Sequence, residues 1–219
     1  MDLNVLRSYI PLYNEALLLT LKTGLLGILT AFAIGLSGAA AIYFNVPVVK
    51  KVLGIYIELF RNTPLLVQLF FIYFALPKLG LRISAETCGI LGLGLIGGAY
   101  MIETMRSGLF SIDRVQSESA LSLGMTDRQV FFHIILPQAF SVSMPGIMAN
   151  VIFLLKETSV FSTISLMDLM FTAKDLIGMY AKTIECLFLL VIYYLIMLLP
   201  VSILGSIIER RVRYAEFGD

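Results

Sequence analysis

The chain has 219 residues, of which 58% are hydrophobic and only 14% charged, with a formal net charge of +1. Soluble domains carry roughly 25% charged residues, so this composition excludes an ordinary soluble protein and defines one integral membrane domain over residues 1–219, with a core of about 12–210. The near-neutral charge and the lack of a basic tract or aromatic–basic stripe exclude a nucleic-acid partner.

A helix needs about 20 apolar residues to cross a bilayer, and five runs reach that length. The first covers Leu12–Phe44. Asp2, Arg7, Glu15 and Lys22 scatter charge through its approach, and the apolar run is too long for a signal-peptide core, so it reads as a membrane helix and not as a cleaved leader. Asn45-Val46-Pro47 breaks it. The second run is Leu53–Leu76, stopped by Pro77. The third is Glu86–Phe110, where Gly92, Gly94, Gly97 and Gly98 allow close helix approach. The fourth is Pro137–Leu155, and the fifth is Ile184–Ile208, ended by Glu209-Arg210-Arg211-Val212-Arg213. The expected fold class is an all-α membrane protein of about five transmembrane helices.

Lys and Arg favour the cytoplasmic side. Lys50, Lys51, Arg106, Arg114, Arg128, Arg210, Arg211 and Arg213 fall on one side; Arg7, Lys78, Arg82, Lys174 and Lys182 fall on the other. This bias predicts an external N-terminus and a cytoplasmic C-terminus. Residues 159–182 then lie outside, with Asp168 and Asp175 on a solvated face.

The segment between the third and fourth runs lies in the cytoplasm under this reading. A helix is predicted over Ser117–Leu123, a turn at Gly124, and a second helix over Arg128–Ile135. Pro137 suits the first turn of the helix that follows. Ala120, Leu121, Leu123, Val130, Phe131, Ile134 and Ile135 alternate with Glu118, Asp127, Arg128 and His133. Such an amphipathic element either lies on lipid or docks in a partner's groove.

Charges at membrane depth are paired or wet. Glu58 with Arg61, and Glu103 with Arg106, are spaced i, i+3 and read as structural ion pairs near the cytoplasmic edge, or as a gate or subunit contact. Pro64 disfavours helix at Thr63, and a helix broken at membrane depth usually lines a cavity. Asn62, Thr63, Pro64 and Gln68 are therefore candidates for a substrate path. Tyr100 is either packing or a substrate contact. Glu157, Thr158 and Ser159 end the fourth run, as a solvated helix end or facing a central cavity.

Cys88 and Cys186 read as buried apolar residues, with one disulfide left open by their position near the same membrane side. His133 has no ligating neighbours, so no metal site is expected. The chain has no phosphate-binding G-x-x-x-x-G-K-[ST] loop and no nucleophile–base constellation. It is expected to be no enzyme and to take its energy from a partner.

Glu118-Ser119-Ala120, three residues, Gly124, nine residues, then Ile134-x-Leu136-Pro137 resembles the cytoplasmic-loop signature of permease subunits of bacterial ABC importers, with Ser119 in place of the usual Ala. Ile57–Pro77, Gly97–Ile112, Ile135–Ala139 and Leu154–Val160 are similar to the polar amino-acid permeases among them. Asn62 stands where relatives usually have Gly, and Arg114-Val115-Gln116 where they have Pro-Gly-Gln.

The resemblance implies a type I importer with the MetI-like permease fold in a bacterial plasma membrane. Residues 117–136 would form the coupling element for an ABC ATPase dimer, which would hold ATP and Mg; this chain would bind no cofactor itself. A second permease copy, identical or related, and an extracytoplasmic substrate-binding protein would complete the assembly in its lipid. Asp168 and Asp175 could meet that protein's rim. The fourth span would contribute a substrate pocket at the subunit interface, where neutral Asn150 suits a zwitterion better than a cationic side chain. The cargo implied is a polar or sulfur-containing amino acid. Two other classes stand beside this: a non-transporting scaffold or channel whose amphipathic segment binds lipid, and a membrane-embedded enzyme, which would need clustered His, Cys or carboxylates.

Overall fold

Asp2 opens the first helix by accepting the Asn4 amide on its side chain at 2.9 Å, and the chain then winds without interruption through α1 (Leu3–Tyr43). The computed structural model describes residues 2–217, with side chains described through Val212. The elements that follow are α2 (Pro47–Arg61), α3 (Leu65–Phe70), α4 (Ala85–Ser111), α5 (Arg114–Ser122), α6 (Asp127–Val130), α7 (Leu136–Glu157), α8 (Leu169–Tyr180) and α9 (Thr183–Phe217). No strand occurs among the described residues.

Among the described residues four stretches are long and apolar enough to cross a membrane: Leu3–Tyr43, Ala85–Ser111, Asp127–Ile164 and Thr183–Val212. The bent pair Pro47–Arg61 and Leu65–Leu79, whose halves meet at 103°, is apolar enough when taken together to be a broken span or a re-entrant loop. The expected second span, Leu53–Leu76, is thus two helices and not one. The break falls at Asn62–Pro64, where Pro64 is extended and starts α3 as its cap.

α1 and α4 lie side by side with almost no space between their backbones. A side chain at Gly35 would overlap Met101, and one at Gly97 would stand 2.7 Å from Ala31 and 2.6 Å from Leu154. Gly97 therefore marks the point where α1, α4 and α7 meet. Lipid tails are as apolar as leucine, so such packing, and not escape from water, holds membrane helices together. For the same reason Leu18, Leu25 and Leu29 on the outer face of α1 can stay exposed.

The buried side chains form two main clusters. The larger surrounds α4 and includes Ile28, Leu65, Leu69, Leu93, Met101, Leu154 and Phe161. The second joins the first half of α1 (Leu6, Tyr9, Tyr13, Ala16) to α8 (Leu169, Ala173, Leu176) and the start of α9 (Cys186, Leu189, Leu190, Tyr193). Polar stitches cross the second cluster. The Tyr13 hydroxyl donates to the Cys186 carbonyl at 2.7 Å, and the Tyr193 hydroxyl to Asn14 Oδ1 at 2.6 Å. Cys88 and Cys186 are both free and buried, in different clusters.

Two Leu-Pro pairs share one local solution. Proline has no N–H to give and its ring collides with the carbonyl four residues back. Before Leu76-Pro77 and before Leu136-Pro137 the helix widens into a π turn, Phe71–Ala75 and Phe131–Ile135. The Gln138 side chain donates to the Ile134 carbonyl at 3.0 Å. As a result α6, its π turn and α7 form one continuous helix. The fourth span begins at Asp127 and not at Pro137, and it runs on through a 3-10 turn to Ile164.

Candidate functional site

The segment between α4 and α7 is an elbow built from matched caps. Asp113 accepts the Val115 amide at 3.0 Å and starts α5. At the other end the Met125 amide donates to the Ala120 carbonyl at 3.3 Å and the Gly124 amide to the Leu121 carbonyl at 2.9 Å. This pair of bonds is the Schellman closure, which requires a left-handed residue at its corner. Gly124 supplies it, with φ of 85°. Thr126 then starts α6 with a capping box, its amide donating to Gln129 Oε1 at 2.8 Å. The Glu-Ser-Ala-x-x-x-Gly spacing is therefore one short helix and its stop. Ala120 faces the main core, while Glu118, Ser119, Leu121 and Leu123 face outward, Leu123 at 85% exposure. Further along the elbow, Ile134 and Leu136 are half-buried and Pro137 is exposed. The Glu118 carboxylate has no partner among the described residues. The elbow thus offers a carboxylate and bare leucines together, on a surface that the chain does not cover itself.

The break between α2 and α3 is held by side chains. Asn62 donates to the Glu58 carbonyl at 2.7 Å and to its carboxylate at 2.9 Å. Gln68 is buried and donates to the carbonyls of Phe60 and Thr63 at 3.1 and 3.0 Å. The expected Glu58–Arg61 pair does not form, because Glu58 is engaged by Asn62. Arg61 instead lies 5.3 Å above the Tyr100 ring and 4.0 Å from the Glu103 carboxylate. Glu103 and Arg106 do pair.

A cavity of about 430 Å³ opens beside this break. Arg61, Asn62, Thr63, Pro64, Tyr100 and Glu157 line it, together with Phe153 and Val160. The other candidates for the path lie elsewhere. Gln68 faces a separate apolar cavity next to Phe71 and Leu76. Thr158 is fully buried, its hydroxyl donating to the Leu155 carbonyl at 2.7 Å, and Ser159 is half-buried off the cavity wall. Asn150 donates across to Thr104 Oγ1 at 2.9 Å. Below that bond a second groove, about 420 Å³, is lined by Glu103, Thr104, Ser107, Ser111 and Ser143. The sequence reading did not single out these hydroxyls. Their recurrence at 104, 107 and 111 along one helix face was the signal available.

Asp168 was expected on a solvated segment, whereas it is fully buried. Its Oδ1 caps α8 by accepting the Phe171 amide at 2.9 Å, and its Oδ2 has no partner among the described residues. Burial pushes its carboxyl up to about 7, against the opposing pull of backbone amides and Lys174. Asp175 is exposed, as expected.

A multi-pass helical bundle with a cavity at a broken helix and an outward elbow of this build defines a membrane transport subunit. The chain belongs to the family of binding-protein-dependent transport system inner membrane components, which matches residues 17–214. It is similar to the probable glutamine ABC transporter permease protein GlnP of Bacillus subtilis (strain 168), 36% identical over 167 residues that cover 76% of this chain and 77% of that protein. It is also similar to the probable amino-acid permease protein YxeN of the same organism, 36% identical over 212 residues and 95% of each chain. A solved structure of an amino acid ABC transporter with histidines superposes with a TM-score of 0.88 at 34% identity, covering 96% of this chain and 99% of that one. The chain is thus an ABC importer permease, a transport subunit and a multi-pass protein of the plasma membrane.

Proposed function

We propose that this subunit forms the path by which a small polar amino acid, carried as a zwitterion, enters the cell. The observation that carries this reading is the placing of Arg61 and Glu157 on the wall of one cavity, with Tyr100 between membrane helices. A fixed cation and a carboxyl group match the two ends of an α-amino acid, and among the described residues that line the cavity no carboxylate joins Glu157, which favours a neutral side chain. The relatives named for glutamine and for amino acids support the same cargo class. The cavity is open on one side, so a second copy of this chain, or a related one, supplies the facing wall.

ATP and Mg belong to a separate ATPase dimer. The α5–α6 elbow is the surface that dimer grips: Glu118, Ser119, Ala120, Gly124, Ile134, Leu136 and Pro137 shape it. ATP binding favours one state of the assembly over the other, and that difference drives the path between inward and outward access. The Lys/Arg bias supports an external N-terminus and a cytoplasmic C-terminus, with a substrate-binding protein delivering cargo at the outer face.

The test is uptake by proteoliposomes holding the permease, its ATPase and its binding protein. Radiolabelled glutamine should accumulate only with ATP inside, and excess arginine or lysine should compete poorly. Preferential uptake of cationic amino acids would overturn the assignment of a neutral cargo. ATP-independent flux would favour a channel instead.

A further inference from the structure

α4 and α7 each present one continuous stripe to the same seam. On α4 the stripe is Tyr100, Glu103, Ser107 and Ser111; on α7 it is Glu157, Phe153, Asn150 and Gly146. Steps of three and four residues keep each set on a single helix face. The upper members line the outer cavity and the lower ones line, or adjoin, the inner groove, so the two spaces lie in line along one seam. Between them the Asn150 amide crosses from α7 to Thr104 Oγ1 on α4. Beside that bond sits Glu103, shared between Arg106 and Arg61, and Arg61 is itself a wall of the outer cavity.

The two spaces differ in chemistry. The outer cavity has the Arg61 guanidinium, held at 4.0 Å from Glu103, and the Glu157 carboxyl group. The inner groove has hydroxyls beside the Glu103 carboxylate, which Arg106 already pairs, and two of the hydroxyls are satisfied: Ser111 donates to the Gly108 carbonyl at 2.7 Å, and Ser143 to the Thr104 carbonyl at 3.4 Å. Hydroxyl walls wet a passage without holding a zwitterion strongly, which suits release.

We propose that the Asn150–Thr104 hydrogen bond, braced by the Arg61–Glu103–Arg106 cluster, is the inner barrier of the path, and that the hydroxyl-lined groove beneath it is the cytoplasmic exit for the zwitterion. This rests on the path reading above. Asn150 then acts as a latch across the seam and not as a contact for the cargo. A cargo carboxylate on Arg61 competes with Glu103 for the same guanidinium, so arrival of cargo loosens the brace next to the latch.

Thiol labelling tests it. Cys88 and Cys186 are buried, which keeps the background low. Val160→Cys places a thiol on the outer cavity, and Ser107→Cys one in the groove. Inside-out vesicles containing the whole transporter are treated with a membrane-impermeant maleimide. Ser107→Cys should react in every background. Val160→Cys should react slowly, and about fivefold faster when combined with Asn150→Ala or Thr104→Val, the shift that losing one ordinary hydrogen bond gives. Equal Val160→Cys rates in all three backgrounds would overturn the barrier. A protected Ser107→Cys would overturn the exit. Glutamine uptake by proteoliposomes reconstituted from fully modified Val160→Cys transporter, with ATP inside and the binding protein outside, reports on the path itself: persistence of uptake would remove the outer cavity from the path, whatever the barrier result.

Discussion

Gln68 reaches back across the break between α2 and α3 and places its amide on the Thr63 carbonyl at 3.0 Å. It serves the Phe60 carbonyl with the same group, so one side chain satisfies two backbone acceptors that the missing helical turn leaves open. Gln68→Leu should therefore destabilise the protein by about 1–3 kcal/mol, the cost of burying unpaired polar groups. A lower midpoint in thermal unfolding of the detergent-solubilised complex checks this. If the midpoint is unchanged and only the cargo preference moves, Gln68 is a path residue after all.

At Gly124 and Glu118 stability and coupling should separate. Nothing lies within 4 Å of where a side chain at Gly124 would begin, so Gly124→Ala meets no obstacle except its φ of 85°. About 1–2 kcal/mol is the expected cost of the left-handed backbone. Glu118→Lys should cost almost nothing in stability, since the carboxylate touches no described residue. It should nevertheless lower ATP-driven uptake several-fold in proteoliposomes while the ATPase still turns over. Normal uptake by Glu118→Lys would remove the elbow from the coupling role.

Asp168 sets a pH dependence of a definite sign. Burial pushes its carboxyl from the ordinary 3.8 up to about 7, so between those values the folded protein holds a proton that the unfolded chain has lost. Stability from this group is full below about pH 4 and declines as pH rises towards 7. Asp168→Asn keeps a capping acceptor for the Phe171 amide and removes the titration. Thermal midpoints measured from pH 5 to pH 8 should slope downward for the parent and be flatter for Asp168→Asn. Parallel slopes would mean that Asp168 is ionised in the fold throughout.

Gly35 tests the α1–α4 seam. A larger residue there overlaps Met101, and both helices belong to the same packed core. Gly35→Leu should destabilise by about 3 kcal/mol or more through overpacking, and reduce recovery of folded protein from membranes. Gly54→Leu is the comparison, because Gly54 has nothing within 4 Å of the added atom. Equal yields of the two would show that the seam tolerates separation.

What the sequence made legible was whatever depends on neighbours along the chain. Gly124 announces its turn because one residue type suits a left-handed corner, and Pro64 announces the break because its ring disturbs the residue before it. The Glu58–Arg61 pair failed for the opposite reason. Spacing at i, i+3 says that two charges can meet, but Arg61 found Tyr100 and Glu103 on another helix, and Asn62 took Glu58. Asn150 and Thr104 are joined only once α7 lies on α4, and no local pattern announces that bond. Asp168 looked like a solvated loop residue because its burial comes from α1 and α9, which are distant in sequence. The fold class and elbow were thus open to reading, while the partners on neighbouring helices required three dimensions.

The π turn at Phe131–Ile135 carries a consequence for how this helix tolerates change. A π turn is a helix holding one surplus residue, and each residue advances a helix by about 100°. The surplus sets the rotational phase between the elbow's buried face, Val130 and Phe131, and the face that carries Asn150 and Glu157. Deleting a single residue there could leave every side chain of both parts intact and still turn the second face away from α4. Length, at this one place, does as much to decide which face α7 turns to α4 as the identity of any side chain.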